Sequence, residues 1–321
     1  MNIKIGKLTI TSLLAFIVIF SCSSYKSING GLLWKITGNG LKEPSYLLGT
    51  NHVMSGDFVD SIPGFWDAFN SVEQLVMEYD ITKPRKLDSI KPRNILPEDI
   101  TYRDLLDDDE IAVLDSILLV YYPYNSNEIR LKPANLLSLL QSFILTKESQ
   151  KWATENPYLS IVPLTKGIDF KLLKISKFRS YPIIELDSDE ELSRLGIRDG
   201  SFSSSTENLQ IEAKKMVQSL TSSSTMDSII GFTRNSIEVY YTQDLRAIEK
   251  YEADPKMRNE EEAKLNRNTF VIKRNILWID KILAAINKKP SFIMVGVAHL
   301  PGEKGLINLL EEEGYTVQPI K

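Results

Sequence analysis

The chain has 321 residues, 43% of them apolar and 25% charged, which excludes a disordered, collagen-like or polytopic membrane protein. Thirty-eight Lys and Arg stand against 42 Asp and Glu, and the net charge of −4 gives no basic excess for nucleic acid. A single cysteine excludes a disulfide within the chain, and any imidazole chemistry has only two histidines to draw on.

At the N-terminus Lys4 and Lys7 precede a 14-residue, mainly apolar run from Leu8 to Ser21, then Cys22. The run is too short to span a bilayer, which takes about 20 apolar residues. It fits the charged and apolar regions of an export signal. Ile19-Phe20-Ser21 before Cys22 resembles the lipobox of bacterial lipoproteins. The expected organisation is a signal over 1–21, a lipid-bearing Cys22, a polar tether over 22–30 and one domain over 31–321. Membrane contact through the N-terminal lipid and a cell-envelope, periplasm-facing location go with that organisation.

Leu32-Leu33-Trp34-Lys35-Ile36 and Ser45-Tyr46-Leu47-Leu48 flank Gly38-Asn39-Gly40 and predict a hairpin whose second strand stops at Gly49. Pro63 is expected to open a helix carrying Phe65, Trp66, Phe69 and Val72. Gln74 to Met77 reads as a strand, and most of 97–289 reads as helical. Asp107 caps one of those helices and Pro133 starts another. A short strand, Pro182 to Leu186, interrupts them. Ser291 to Val295 reads as a buried strand stopping at Gly296. Gly302 to Glu313 comes next as a helix ended by Gly314, then a last strand from Tyr315 to Gln318. Strands at both ends with helices between them predict an α/β fold, a sheet assembled from distant segments around a large helical middle.

His52 and His299 sit in the same context: an apolar strand, a glycine (Gly49, Gly296), then histidine three residues on. Glycine at a strand end permits a tight turn or close backbone approach, and the residues after it project over the carboxyl edge of the sheet. Leu75-Val76-Met77-Glu78 is a third strand ending in a carboxylate. Two imidazoles and a carboxylate suit a Zn²⁺- or Mn²⁺-type divalent cation; the same trio can work without metal, one histidine as base and Glu78 orienting it. Arg274 shares a helix face with Phe270, Val271 and Trp278, where it snorkels, pairs with a buried acid, or faces a pocket as an anion stabiliser.

These motifs resemble the TraB/GumN family, whose relatives include the Tiki metalloproteases, over nearly all of 31–321. The resemblance rests on Leu32 to His52, on Val295-Gly296-Val297-Ala298-His299-Leu300-Pro301-Gly302, and on the strand-end Glu78. Lys132-Pro133, Gly167-Ile168-Asp169 and Arg274-Asn275 with Trp278 are lesser matches. Where the family often has Leu-Glu-Thr, this chain has Leu186-Asp187-Ser188, a shorter carboxylate, and Asp187 is not placed in the expected site. The resemblance implies a mixed central sheet flanked by helices, a fold shared more distantly with erythromycin esterases and haem-binding proteins, with both G-x-x-H loops at one cleft. It implies a metal-dependent, peptidase-like hydrolase acting on a peptide or small molecule. His52, Glu78 and His299 hold the metal or water, Arg274 stabilises an oxyanion, and Asn275 positions substrate or ligands. The alternative is a non-catalytic protein that captures a peptide or small ligand in the same cleft.

Overall fold

The computed structural model describes residues 29–83, 94–122, 124–195, 205–254, 265 and 267–321. The expected export signal and Cys22 lie outside the described residues, as does nearly all of the tether. The apolar runs beside Gly38-Asn39-Gly40 form the expected hairpin, β1 (Leu33–Gly38) antiparallel to β2 (Ser45–Thr50), with β2 running one residue past Gly49. Helix α1 (Phe65–Asn70) starts later than Pro63 because Gly64 adopts a left-handed conformation, and Val72 is buried beyond its end. The strand β3 (Gln74–Met77) comes next.

The helical middle contains α2 (Tyr102–Leu105), α3 (Asp108–Tyr121), α4 (Pro133–Trp152) and α5 (Ile168–Phe178). Asp107 caps α3 as expected, its side chain accepting from the Glu110 N–H while Glu110 reaches back to the Asp107 N–H. After β4 (Ile183–Glu185) come α6 (Asp189–Arg194), α7 (Thr206–Thr221), α8 (Ser223–Tyr241) and α9 (Leu245–Glu252). Ser205 and Ser222 supply the caps of α7 and α8. A π-helical turn, Arg267–Ile272, leads into α10 (Lys273–Lys288), then β5 (Ser291–Gly296), α11 (Leu306–Glu312) and β6 (Tyr315–Pro319). Helix α11 begins four residues later than expected, because Gly302 sits at φ 103° and Gly305 is the extended cap.

The six strands form one mixed sheet in the order β4-β3-β5-β2-β1-β6. Neighbours from β4 to β2 are parallel, and β1 runs against both β2 and β6. Side chains alternate between its faces. Phe292 and Met294 join Leu48, Leu75, Phe65 and Phe69 in one core, while Ile293 and Val295 join Leu47, Val76, Trp278 and Ile282 in another. Both faces are therefore covered, which suits strands that read as continuous apolar runs. A third core draws Leu114, Leu136, Leu140, Leu209 and Met216 together from α3, α4 and α7 without any strand. No helix among the described residues is long and apolar enough to cross a membrane.

Candidate active site

Four adjacent parallel strands end at the same edge. The register sets Thr50 opposite Gly296, Met77 opposite Met294 and Met77 opposite Glu185. The segments leaving these strands therefore emerge side by side: His52 after β2, His299 on the short 3-10 turn Val297–His299 after β5, Glu78 after β3 and Asp187 after β4. Gly49 serves close approach: a Cβ there would lie 2.9 Å from Val297 Cγ2 and 3.0 Å from Val297 Cα. Gly296 floors the cleft. A Cβ on it would lie 3.3 Å from Glu78 Oε1, 3.6 Å from His299 Cδ2 and 3.7 Å from His52 Nε2.

The two histidines share a sequence context and differ in environment. His52 keeps about half its side chain exposed (52%), and its Nδ1 lies 3.2 Å from Asp169 Oδ2. The other Asp169 oxygen accepts from the Thr50 hydroxyl at 3.1 Å. The hydrogen bond to Asp169 raises the His52 pKa to about 9, against partial burial, with the charges of Asp169 and Glu78 adding to the rise. His299 is buried, its ring centroid 4.4 Å from that of Trp278. Asn275 donates through Nδ2 to the carbonyls of His299 and Lys304, so its Oδ1 faces His299 Nδ1 at 2.6 Å as an acceptor. That assigns the His299 proton to Nδ1 and leaves the Nε2 lone pair toward the cleft. Burial pushes the His299 pKa down to about 4, so its ring is neutral at pH 7.

Glu78 is mostly buried, accepts the Gly296 N–H at 2.6 Å on Oε1 and is ion-paired through Oε2 to Arg274. Burial alone would raise its pKa; His299, Arg274, His52 and the Gly296 N–H outweigh it and hold Glu78 near 2. Arg274 is saturated. Nη2 donates to Glu78 and to Asp187 Oδ2 at 2.6 Å, Nε lies 3.4 Å from Asp187 Oδ1, and Nη1 reaches the Phe270 carbonyl at 3.1 Å and His299 Nε2 at 3.3 Å. Its guanidinium also stacks over Trp278, 4.3 Å from the ring centroid. Of the roles open to Arg274, pairing with buried acids is the one this geometry displays.

The expected His52, Glu78, Arg274, Asn275 and His299 thus meet at one cleft, floored by Gly296. Asn275 is fully buried, so it orients His299 and does not itself face a ligand. Asp187, which the sequence motifs did not place in the site, is 5% exposed and accepts from Trp278 Nε1 at 2.8 Å as well as from Arg274. Asp169 and Thr50 likewise join the site without having been expected there. Gly167-Ile168-Asp169 was a visible signal, but its link to His52 crosses 117 residues. The Tyr240 hydroxyl donates to the Gly49 carbonyl at 3.0 Å and ties α8 to the cleft. A cavity of about 260 Å³ opens above these groups, with Asn51, Ser236, Glu252 and Phe270 in its wall.

The described residues hold no ready-made cluster of three His, Cys, Asp or Glu ligands. The donor chemistry still fits a divalent cation. His52 Nε2 and Glu78 Oε1 border the Gly296 floor, His299 Nε2 lies 3.9 Å from that Glu78 oxygen, and both Nδ1 atoms have oxygen partners, as metal-binding imidazoles do. His299 would join only after Arg274 Nη1 leaves its Nε2.

No curated protein and no solved structure matches the chain. A family model does match, over residues 32–319, which takes in every strand among the described residues and all of the cleft groups above. The chain belongs to the TraB/PrgY/gumN family.

Proposed function

We propose that this protein is a hydrolase of the peptidase type, metal-dependent, and tethered to the cell envelope through Cys22. The observation that carries the reading is the convergence of His52, Glu78 and His299, from three separate strand ends, on the open floor above Gly296. His52, Glu78 and His299 would hold the cation, which when bound would acidify a water and polarise a carbonyl oxygen. Asp169 keeps the His52 Nδ1 side occupied, so Nε2 alone serves the cleft. A carboxylate held near pKa 2 is a poor proton acceptor at pH 7, so Glu78 supplies fixed negative charge and an acceptor for water. Without a cation, His52 is protonated at neutral pH and is the group able to hand a proton to a leaving amine. Arg274, its charge balanced by Glu78 and Asp187 and its N–H groups committed to protein acceptors, holds Glu78 in place beside the reacting groups.

That same saturation of Arg274 favours the second reading, capture of a peptide or small ligand without turnover. The deciding experiment measures metal content and peptide cleavage in the purified protein and in His52→Ala. Because His52 is half exposed, the variant should stay folded, with a melting temperature lowered by the lost Asp169 pairing, while losing cleavage and most of the metal. A wild-type protein that binds peptides, cleaves none and keeps that binding in His52→Ala would establish capture instead. Loss of membrane association in Cys22→Ser tests the tether.

A further inference from the structure

A second cavity of about 220 Å³ shares His52, Glu78 and Asp169 with the chemistry described above, and its remaining wall is Met77, Tyr79, Ile81 and Leu164. The first cavity also has apolar groups, Val239, Ile248 and Phe270 among them, but mixes them with the polar Ser236, Glu252 and Arg274. Ile81 and Leu164 are large apolar side chains left 37% and 56% exposed. Each belongs to a segment that also carries a group of the site. Ile81 continues the chain three residues past Glu78, and Asp80 beside it is buried and anchored by Lys177 at 2.8 Å and by the Thr82 N–H at 2.9 Å. Leu164 begins the 3-10 turn Leu164–Lys166, which leads into α5 and Asp169, the partner of His52. The apolar wall is thus fixed relative to His52 and Glu78 by the same backbone that positions them.

We propose that this cavity is a specificity subsite that takes a branched aliphatic or aromatic side chain of the substrate, next to the bond presented to His52 and Glu78. The inference deepens the hydrolase reading and rests on it for the identity of the cleft. Burying a leucine or phenylalanine side chain favours binding by about tenfold or more over glycine. An acidic side chain would meet Glu78 and Asp169, with His52 already paired to Asp169 and no other cation in the wall.

The test uses the full-length protein and blocked tripeptides Ac-Ala-Xaa-Ala-amide with Xaa as Leu, Phe, Gly, Asp or Lys. Affinity is read as Kd for uncleaved peptides and as kcat/KM for cleaved ones. The Leu and Phe peptides should be favoured at least tenfold over Gly. Leu164→Lys and Ile81→Lys, both at exposed positions that tolerate a long side chain, should remove most of that preference. Phe178→Lys, at an exposed apolar residue outside either cavity, should preserve it. Selective binding without cleavage would keep the subsite and end the hydrolase reading. Cleavage with no preference among Leu, Phe and Gly would do the reverse. A preference for Lys, one untouched by both wall substitutions, or no binding of any peptide would overturn the subsite.

Discussion

His52 and His299 share the same glycine spacing, yet the fold drives their protonation in opposite directions. Asp169 gives His52 a carboxylate partner, whereas Asn275 and Trp278 give His299 an amide and a dry wall. With only two histidines in the chain, proton NMR can follow both rings directly. One should titrate near pH 9 and the other near pH 4. Asp169→Asn should bring the first down toward 6.5 and leave the second in place; two rings titrating together near 6.5 would contradict the geometry. Arg274→Met should cost about 3–5 kcal/mol in denaturant unfolding, because it leaves Glu78 and Asp187 buried without their cation. Arg274→Lys should recover only part, since one ammonium cannot reproduce five directed donors. The histidines were legible as a pair because each motif is local. Asp187 was not, because its value lies in reaching Arg274 and Trp278, about 90 residues away in sequence.

At the level of elements, the strand-end glycines do different work. Gly49→Ala pushes a methyl group against the Val297 backbone and should destabilise by about 1–3 kcal/mol. Gly296 has φ −53°, open to any residue, and its Cβ would enter the space among Glu78, His299 and His52. Gly296→Ala should therefore spare most of the stability and lower peptide turnover; equal losses from both variants in melting temperature would refute this division. Strands and capped helices were legible from apolar runs and from Asp107 and Pro133. The starts of α1 and α11 were not, since Gly64 and Gly302 take left-handed conformations that no apolar spacing reveals. The π-helical turn before Arg274 also has no counterpart in the spacing of Phe270, Val271 and Trp278.

Across the whole molecule, the site makes stability depend on pH in both directions. His299 binds its proton less readily folded than unfolded, so acidification from about 6.5 to 4 removes stability; Glu78 adds a further loss from about 4.5 to 2. His52 holds its proton more tightly when folded, so its contribution is full below about 6.5 and is lost as the pH rises through 9. Melting temperatures across pH 3–10 should show the site's contribution greatest near 6.5, with the alkaline decline shallower in Asp169→Asn. An alkaline limb unchanged by that substitution would show that His52 does not supply it.

Local chemistry in the sequence determined the class of fold, most of its elements and the paired histidines with Glu78, left Arg274 with three open roles, and reached Asn275 only through the family resemblance. Periodicity and turn residues act within a few positions, and the G-x-x-H spacing is itself local. Only the tertiary structure decided the strand order β4-β3-β5-β2-β1-β6, which sets Thr50 beside Gly296, about three quarters of the chain away in sequence. Asp169, Asp187 and the apolar wall at Ile81 and Leu164 acquire meaning only there. Parallel pairing between distant segments is settled by burying both faces of the sheet at once, and no single segment encodes it.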